Sequence, residues 1–279
     1  MRTVANQRKE LKGRIGGESI NQKGKNMNLE YITCSDMREH NDIDEIINLG
    51  KKYPMAEFAI QAHPTKFSPY MPRYVWFDTL VRAARVNKIK FAMHVNSEYR
   101  TELCHGNVPY SLRRLWEIRR DDNTPVIGRV QVNINGGNDR YKFYADKVAD
   151  IIRAYPDIKF IFQYEPAQHE RVSKLDKKHV SFALLYDASG GRGISPETWD
   201  APVFLNHQMG YSGGISPDNV VNNLNYINEI LPMDYSTWVD AEGKLKSPDD
   251  NGKKLFDTAL AEKYIERAIA WQMKNGYDR

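Results

Sequence analysis

The stretch that decides the fold runs from Val126 to Gln163, VIGRVQVNINGGNDRYKFYADKVADIIRAYPDIKFIFQ. It opens on a short run rich in β-branched residues, Val126–Ile134, and closes on another, Ile158–Gln163. Between them, Tyr141–Ala154 sets Phe143, Val148, Ile151 and Ile152 at helical spacing, which gives one helix face an apolar stripe. A strand, an amphipathic helix and a second strand form a unit whose two strands lie parallel.

Outward from that unit the same rhythm repeats. Strand-like runs are read at Leu29–Cys34, Phe58–His63, Ile89–Val95, Val126–Ile134, Ile158–Gln163, Val180–Asp187, Val203–Gln208 and Thr237–Asp240, eight in all. Several are apolar without alternation, as parallel strands buried on both faces should be. Helical segments are read at Asp42–Lys52, where Asp42 can cap, and at Tyr74–Val86, Ser111–Arg119, Tyr141–Ala154, Pro217–Ile230 and Lys253–Met273. Eight repeats argue for closure into a (β/α)8 TIM barrel, an α/β fold, rather than for an open doubly wound sheet. The chain has 279 residues, enough for one barrel of roughly 250 residues with an extension. The expected organisation is therefore a basic N-terminal extension over 1–28 and a single barrel domain over 29–279.

Charge supports that division. Residues 1–28 carry seven Lys/Arg against two Asp/Glu, a surplus of five. The whole chain is only +4, so the body sits near −1 and does not read as a nucleic-acid-binding surface. No apolar run approaches the roughly 18 residues of a membrane helix, and no apolar leader opens the sequence. Two cysteines, Cys34 and Cys104, suggest no disulfide framework and fit a reducing, cytoplasmic setting.

In such a barrel the reaction site is built at the C-terminal strand ends and the loops that follow. The seventh of these loops reads Gly210-Tyr211-Ser212-Gly213-Gly214-Ile215-Ser216-Pro217-Asp218-Asn219-Val220. Adjacent Gly213 and Gly214 let backbone approach a ligand, and Ser216 with Pro217 marks a helix start, whose N–H groups favour an anion. Either a tight turn or a phosphate site fits these residues. Asp187 ends an apolar strand before a glycine loop containing Gly190 and Gly191. It reads as a general acid or as the start of a turn. Cys34 ends the first strand and reads either as a small buried hydrophobe or, beside a cation, as a base or nucleophile.

Taken together, these loops resemble phosphoribosylanthranilate isomerase. The likeness rests on Ile32-Thr33-Cys34-Ser35, Met71-Pro72-Arg73-Tyr74-Val75, Gln131-Val132-Asn133-Ile134 and Leu184-Leu185-Tyr186-Asp187 with Gly190-Gly191-Arg192-Gly193. Its most specific part is Gly213-Gly214-Ile215-Ser216-Pro217-Asp218-Asn219-Val220. It spans roughly residues 29–260. Asn133 stands where the family has a histidine, and Val239-Asp240-Ala241-Glu242-Gly243 replaces a hydroxyl-rich eighth-strand end.

The resemblance implies an Amadori rearrangement of N-(5-phosphoribosyl)anthranilate, with Asp187 as general acid and Cys34 as general base. It implies Arg73 on the anthranilate carboxylate, Gln131, Gly190 and Gly191 at the substrate, and Gly213, Gly214 and Gly243 around the phosphate. No metal or cofactor is required by that chemistry. The expected partner is a small phosphorylated sugar, with no nucleic acid or membrane, and the chain is expected as a monomer or homodimer. Two readings stand beside it. One is a metal-dependent barrel isomerase or epimerase using His63, His94 and Asp187, and the other is a non-catalytic barrel that binds a phosphorylated ligand.

Overall fold

The computed structural model describes residues 27–134, 142–187, 196 and 198–275. Eight parallel strands close into a barrel in chain order. They are β1 (Asn28–Ser35), β2 (Ala56–Ala62), β3 (Lys90–Val95), β4 (Ile127–Val132), β5 (Lys159–Tyr164), β6 (Ala183–Asp187), β7 (Gln208–Ser212) and β8 (Ser236–Ala241), with β8 pairing back onto β1. Outside them lie α1 (Ile43–Lys52), α2 (Pro72–Ala83), α3 (Ser97–Cys104), α4 (Tyr110–Trp116), α5 (Ala145–Ala154), α6 (His169–Asp176), α7 (Val220–Ile230) and α8 (Thr258–Asn275). Among the described residues no helix stands between β6 and β7. A small hairpin, β9 (Lys246–Pro248) and β10 (Lys254–Phe256), separates β8 from α8. The chain is a (β/α)8 barrel, and among the described residues no helix is long and apolar enough to cross a membrane.

Strand periodicity decides which side chains see the barrel axis. Ile32, Cys34, Phe58, Val130, Phe162 and Val239 point outward into the main core beneath the helices. α1 closes part of that layer with Ile46, Ile47 and Leu49, and Asp42 caps it by accepting from the N–H groups of Asp44 and Glu45. α5 contributes Val148, Ala149, Ile151 and Ile152, the face expected from the sequence.

The opposite parity fills the barrel. Tyr31, Ile161, Ala183, Leu185 and Trp238 form a small inner cluster. The Arg129 guanidinium lies 4.3 Å from the Tyr31 ring and 4.2 Å from the Trp238 ring, and it pairs with buried Glu57 at 3.1 Å. This layer plugs the barrel and leaves a mouth at each end.

Several boundaries move from their sequence positions. The seventh strand is Gln208–Ser212 and not Val203–Gln208; Val203 and Leu205 are exposed. The true strand hides behind Gly210. A Cβ there would stand 2.1 Å from Trp238 Cε2, so the axial indole requires a residue that strand propensity disfavours. The last helix starts at Thr258 rather than Lys253, because Lys254–Phe256 pairs in the hairpin and Asp257 accepts from the N–H groups of Ala259 and Leu260. Met27 and Asn28 belong to the barrel, since Asn28 pairs with Ser236 and the Met27 N–H donates to Asn228. Residues 1–26 of the basic extension lie outside the described residues.

Candidate functional site

At the C-terminal strand ends the inward parity turns polar. Gln61 on β2, His94 on β3, Gln131 on β4, Gln163 on β5, Asp187 on β6, Ser212 on β7 and Asp240 on β8 all line one cavity of about 150 Å³. Strand register keeps them level: His94 pairs with Gln61 and Gln131, and Ser212 lies between Asp187 and Asp240. The cavity is completed by Gly213, Gly214, Gly243, Glu242 and Lys244 from the last two loops.

Asp240 is the most perturbed group there. Its Oδ1 accepts from the Ser35 hydroxyl at 2.6 Å, and its Oδ2 lies 3.7 Å from His94 Nε2. Burial pushes its pKa up to about 8, and the nearby negative charges of Glu242 and Glu57 add to this, against the Ser35 hydrogen bond and the Arg129 charge. Burial, with the Arg129 charge, pushes His94 down to about 3. At neutral pH the acid therefore holds its proton and the imidazole is neutral. The 3.7 Å approach is thus a contact of two neutral groups and not an ion pair. Asp240 is placed to give a proton.

Across Ser212, Asp187 is buried and accepts from Gln163 Nε2 at 2.6 Å. Among the described residues Gln163 Oε1, which is buried, has no hydrogen-bond partner, an acceptor that a ligand hydroxyl would satisfy.

A directional chain of amides builds the other wall. Gln131 Nε2 donates to Asn133 (2.8 Å), Asn133 Nδ2 to Asn96 (2.6 Å), Asn96 Nδ2 to Gln61, and Gln61 Nε2 to Glu242 (2.9 Å). Lys246 then donates to Glu242 at 3.1 Å and to Asp36 at 2.7 Å. Asn133, Asn96 and Gln61 each accept through the oxygen and donate through the nitrogen, so the chain polarises along its length and holds the rim rigid. Glu242 does line the cavity, and its charge is balanced by Lys246 rather than by Lys244.

The turn after β7 is built by glycine and a reciprocal cap. Gly213 and Gly214 adopt φ of 120° and 62°, open to glycine and costly for other residues. Ser216 Oγ accepts from the N–H groups of Asp218 and Asn219, Asn219 Oδ1 accepts from the Ser216 N–H, and Asn219 Nδ2 donates to the Gly214 carbonyl. The N–H groups of Asp218 and Asn219, just ahead of α7, are therefore taken by Ser216. What faces the cavity is the glycine backbone and the Lys244 side chain.

The expected site residues divide. Asp187, Gln131, Gly213, Gly214 and Gly243 come together in the cavity. Gly190 and Gly191 lie outside the described residues. Cys34 does not reach the cavity. It has no exposed surface and lies in the outer layer in register with Phe58 and Ala241, and burial pushes its thiol well above the ordinary value. That burial holds it apart from the cavity, and its neighbour Ser35 faces inward in its place. Arg73 also stands apart, since α2 holds it against Glu39 at 3.1 Å. His63 bonds Thr65 outside the cavity, so His63, His94 and Asp187 do not gather, and among the described residues no three His, Cys, Asp or Glu side chains form a metal-holding group.

Asp240, Gln163, Gln61 and Lys244 are the residues that sequence reasoning missed. For Asp240, Gln163 and Gln61 the signal was a polar residue at the inward position near the end of an otherwise apolar strand; Lys244 lies past the end of β8 and carried no such signal.

No protein-family model matches the chain, and no curated protein matches it. Among solved structures, it is similar to an N-acetylneuraminic acid (sialic acid) synthetase from Leptospira borgpetersenii serovar Hardjo-bovis in complex with citrate. The TM-score is 0.51 at 11% identity, over 90% of this chain and 87% of that one. A truncated 3-deoxy-D-arabino-heptulosonate 7-phosphate synthase from Thermotoga maritima gives 0.49 at 9% identity, over 92% of each chain. An N-(5'-phosphoribosyl)anthranilate isomerase from Pyrococcus furiosus gives 0.47 at 11% identity, over 86% of this chain and 98% of that one. At these identities the likeness to the synthetase is one of fold, and it agrees with the closed barrel described above.

Proposed function

We propose that this barrel is an enzyme that isomerises a small phosphorylated sugar-like substrate by proton transfer, with Asp240 and Asp187 as the reacting carboxyls. The observation that carries the reading is the pair itself: two buried carboxyls on β8 and β6 flank one small cavity, and one of them keeps its proton to about pH 8. A protonated carboxyl beside a second carboxyl lets one site supply both an acid and a base.

In the specific form suggested by the resemblance, an Amadori rearrangement, Asp240 gives its proton to the ring oxygen as the ribosylamine opens. Asp187 then takes the C2 proton, and the enolamine tautomerises to the ketose. The acid falls to Asp240 because it is the protonated group, and the base falls to Asp187 because Cys34 lies in another layer. The amide wall and the unpartnered Gln163 oxygen suit substrate hydroxyls, while Lys244 with Gly213, Gly214 and Gly243 suits a phosphate. N-(5-phosphoribosyl)anthranilate is the first substrate to try. Arg73 is spent on Glu39, so recognition of its carboxylate would fall to other groups.

The test is loss of substrate fluorescence when the protein meets freshly generated phosphoribosylanthranilate. Turnover that drops at least about a hundredfold in both Asp240→Asn and Asp187→Asn supports the reading. Absence of turnover by the wild-type protein removes this substrate, and turnover that survives both variants removes the mechanism.

A further inference from the structure

The opposite mouth of the barrel holds a larger space than the candidate active site. A cavity of about 880 Å³ opens where β2 to β6 begin, against about 150 Å³ at the C-terminal ends. Barrels of this kind keep their chemistry at the C-terminal face, so this cavity has no part in the reaction proposed above.

Its cations outnumber its carboxylates: Lys90, Arg120, Arg129, Arg153 and Lys159 line it against Glu57, Asp122 and Asp157. Lys90 opens β3, Lys159 opens β5, and Arg129 lies on β4 between them, in register with Lys159. Neighbouring strands lie about 4.8 Å apart, so Arg129 and Lys159 stand side by side, while Lys90 lies two residues before Ala92, the partner of Arg129 on β3. Arg129 is answered by Glu57, whose Oε2 lies 3.1 Å from Nη1 in an ion pair. Glu57 Oε2 also accepts from Thr33 at 2.9 Å, and the carboxylate's charge acts on Lys90 as well.

The two lysines are not answered. Lys159 Nζ donates to the Ser181 hydroxyl at 2.9 Å, and Lys90 Nζ lies 4.9 Å from the Tyr31 ring centroid. Among the described residues, no carboxylate lies within ion-pair distance of either lysine. Lys90 feels the charges of Glu57 and Glu30, and Lys159 feels that of Glu30, which accepts from Gln208 at 2.8 Å. Both lysines are half-buried, and burial pushes both below the ordinary lysine value.

The other arginines that line the space are spent. Arg120 donates to the carbonyls of Ile89, Val126 and Pro125, and Arg153 donates to Asp150 and to the Lys178 carbonyl.

We infer that this mouth is a second ligand site, for a small dianion carrying a phosphate group. Two half-buried ammonium groups on one cavity, neither in an ion pair among the described residues, suit the two charges of a dianion. The cavity leaves room for more than the phosphate itself, so either inorganic phosphate or a phosphomonoester is accommodated.

The experiment reads the lysines directly in the full chain. Reductive methylation followed by peptide mass spectrometry gives the labelling rate of each amine, with and without inorganic phosphate or glycerol phosphate. A bound dianion raises each lysine pKa by about one unit, which lowers the reactive free amine, and so the rate, about tenfold. That slowing is expected at Lys90 and Lys159 and not at exposed Lys88. Protection by phosphate alone identifies the ion as the ligand, and protection by the ester alone identifies a phosphomonoester; both uphold the site. Unchanged labelling of Lys90 and Lys159 under both additions overturns it.

Calorimetry gives the second arm. Phosphate heat that survives Lys244→Gln but is lost in the double variant Lys90→Gln/Lys159→Gln upholds the site. Heat lost with Lys244→Gln and kept in the double variant overturns it. The labelling arm uses wild-type protein, so it remains decisive if the double variant does not fold.

Discussion

At the scale of single residues, one position of parity separates two chemistries. Cys34 and Ser35 are neighbours on β1, yet the thiol is sealed beneath the helices while the hydroxyl donates to Asp240. Cys34→Ala should leave turnover per folded molecule within about threefold of wild type, while costing stability of about 1–2 kcal/mol through the small cavity it leaves. A hundredfold loss of turnover in a variant that unfolds normally would return the thiol to the mechanism. Asp240 carries the opposite expectation, and its sign can be worked out. Its folded pKa of about 8 stands above the roughly 3.9 of an unfolded aspartate, so the folded state holds a proton that unfolding releases. Stability from this group is complete below about pH 4 and is lost as pH rises to about 8. His94, held near 3, works the other way below its unfolded value of about 6.5, but it is present in both proteins when wild type is compared with Asp240→Asn. The variant should therefore gain on wild type between about pH 5 and about pH 8, read from urea midpoints at the two values. A difference that does not change with pH would mean that Asp240 ionises normally. Turnover should fall on the alkaline side of about 8 as the acid loses its proton, and this limb should vanish in the variant.

Secondary-structure elements were legible where a local signal and the tertiary need agreed. α1 was readable because its apolar face and its Asp42 cap point to the same segment, and the β4–α5–β5 unit was readable for the same reason. β7 was not, because its requirement comes from another strand. Trp238 on β8 occupies the barrel axis, and only a residue without a side chain can pass it, so Gly210 sits where a strand former would announce the strand. Gly210→Ala should cost about 3 kcal/mol, the upper range for an overpacked core, seen as a lowered Tm. Trp238→Leu in the same chain should restore part of the loss, and strictly additive effects would show that the two side chains do not compete. The short helices α3 and α6, of eight residues each, escaped notice because they offer little more than two turns of periodicity. The glycine turn after β7 was legible as a motif, but its donors were not. Ser216 takes the N–H groups that the motif offered to an anion, so Ser216→Ala should destabilise the protein by about 1 kcal/mol, measured by chemical denaturation. A neutral result would mean that Asn219 alone holds the turn.

For the whole molecule, the axis of the barrel joins its two ends through one buried ion pair. Arg129 is held between the Tyr31 and Trp238 rings and against Glu57, in the layer between the N-terminal cavity and the candidate active site. Its charge lowers the pKa of both Asp240 and His94, and Glu57 raises that of Asp240, so the axial pair acts on the proton inventory of the reaction site without lining that cavity. This coupling was not legible in the sequence, where Arg129 and Glu57 are two isolated charges in separate apolar runs and only barrel closure brings them together. The consequences of removing one partner differ from those of removing both. Arg129→Met leaves Glu57 buried without its counter-charge and should cost about 3–5 kcal/mol, whereas Arg129→Met with Glu57→Gln should recover most of it, because no unpaired buried charge remains. The double variant then isolates the long-range effect. With the Arg129 charge gone, the His94 ring should titrate above its present value of about 3, followed by NMR of the imidazole protons. If the double variant folds as well as wild type and His94 titrates where it did before, the axial pair serves packing alone, and the two mouths of the barrel are electrostatically independent.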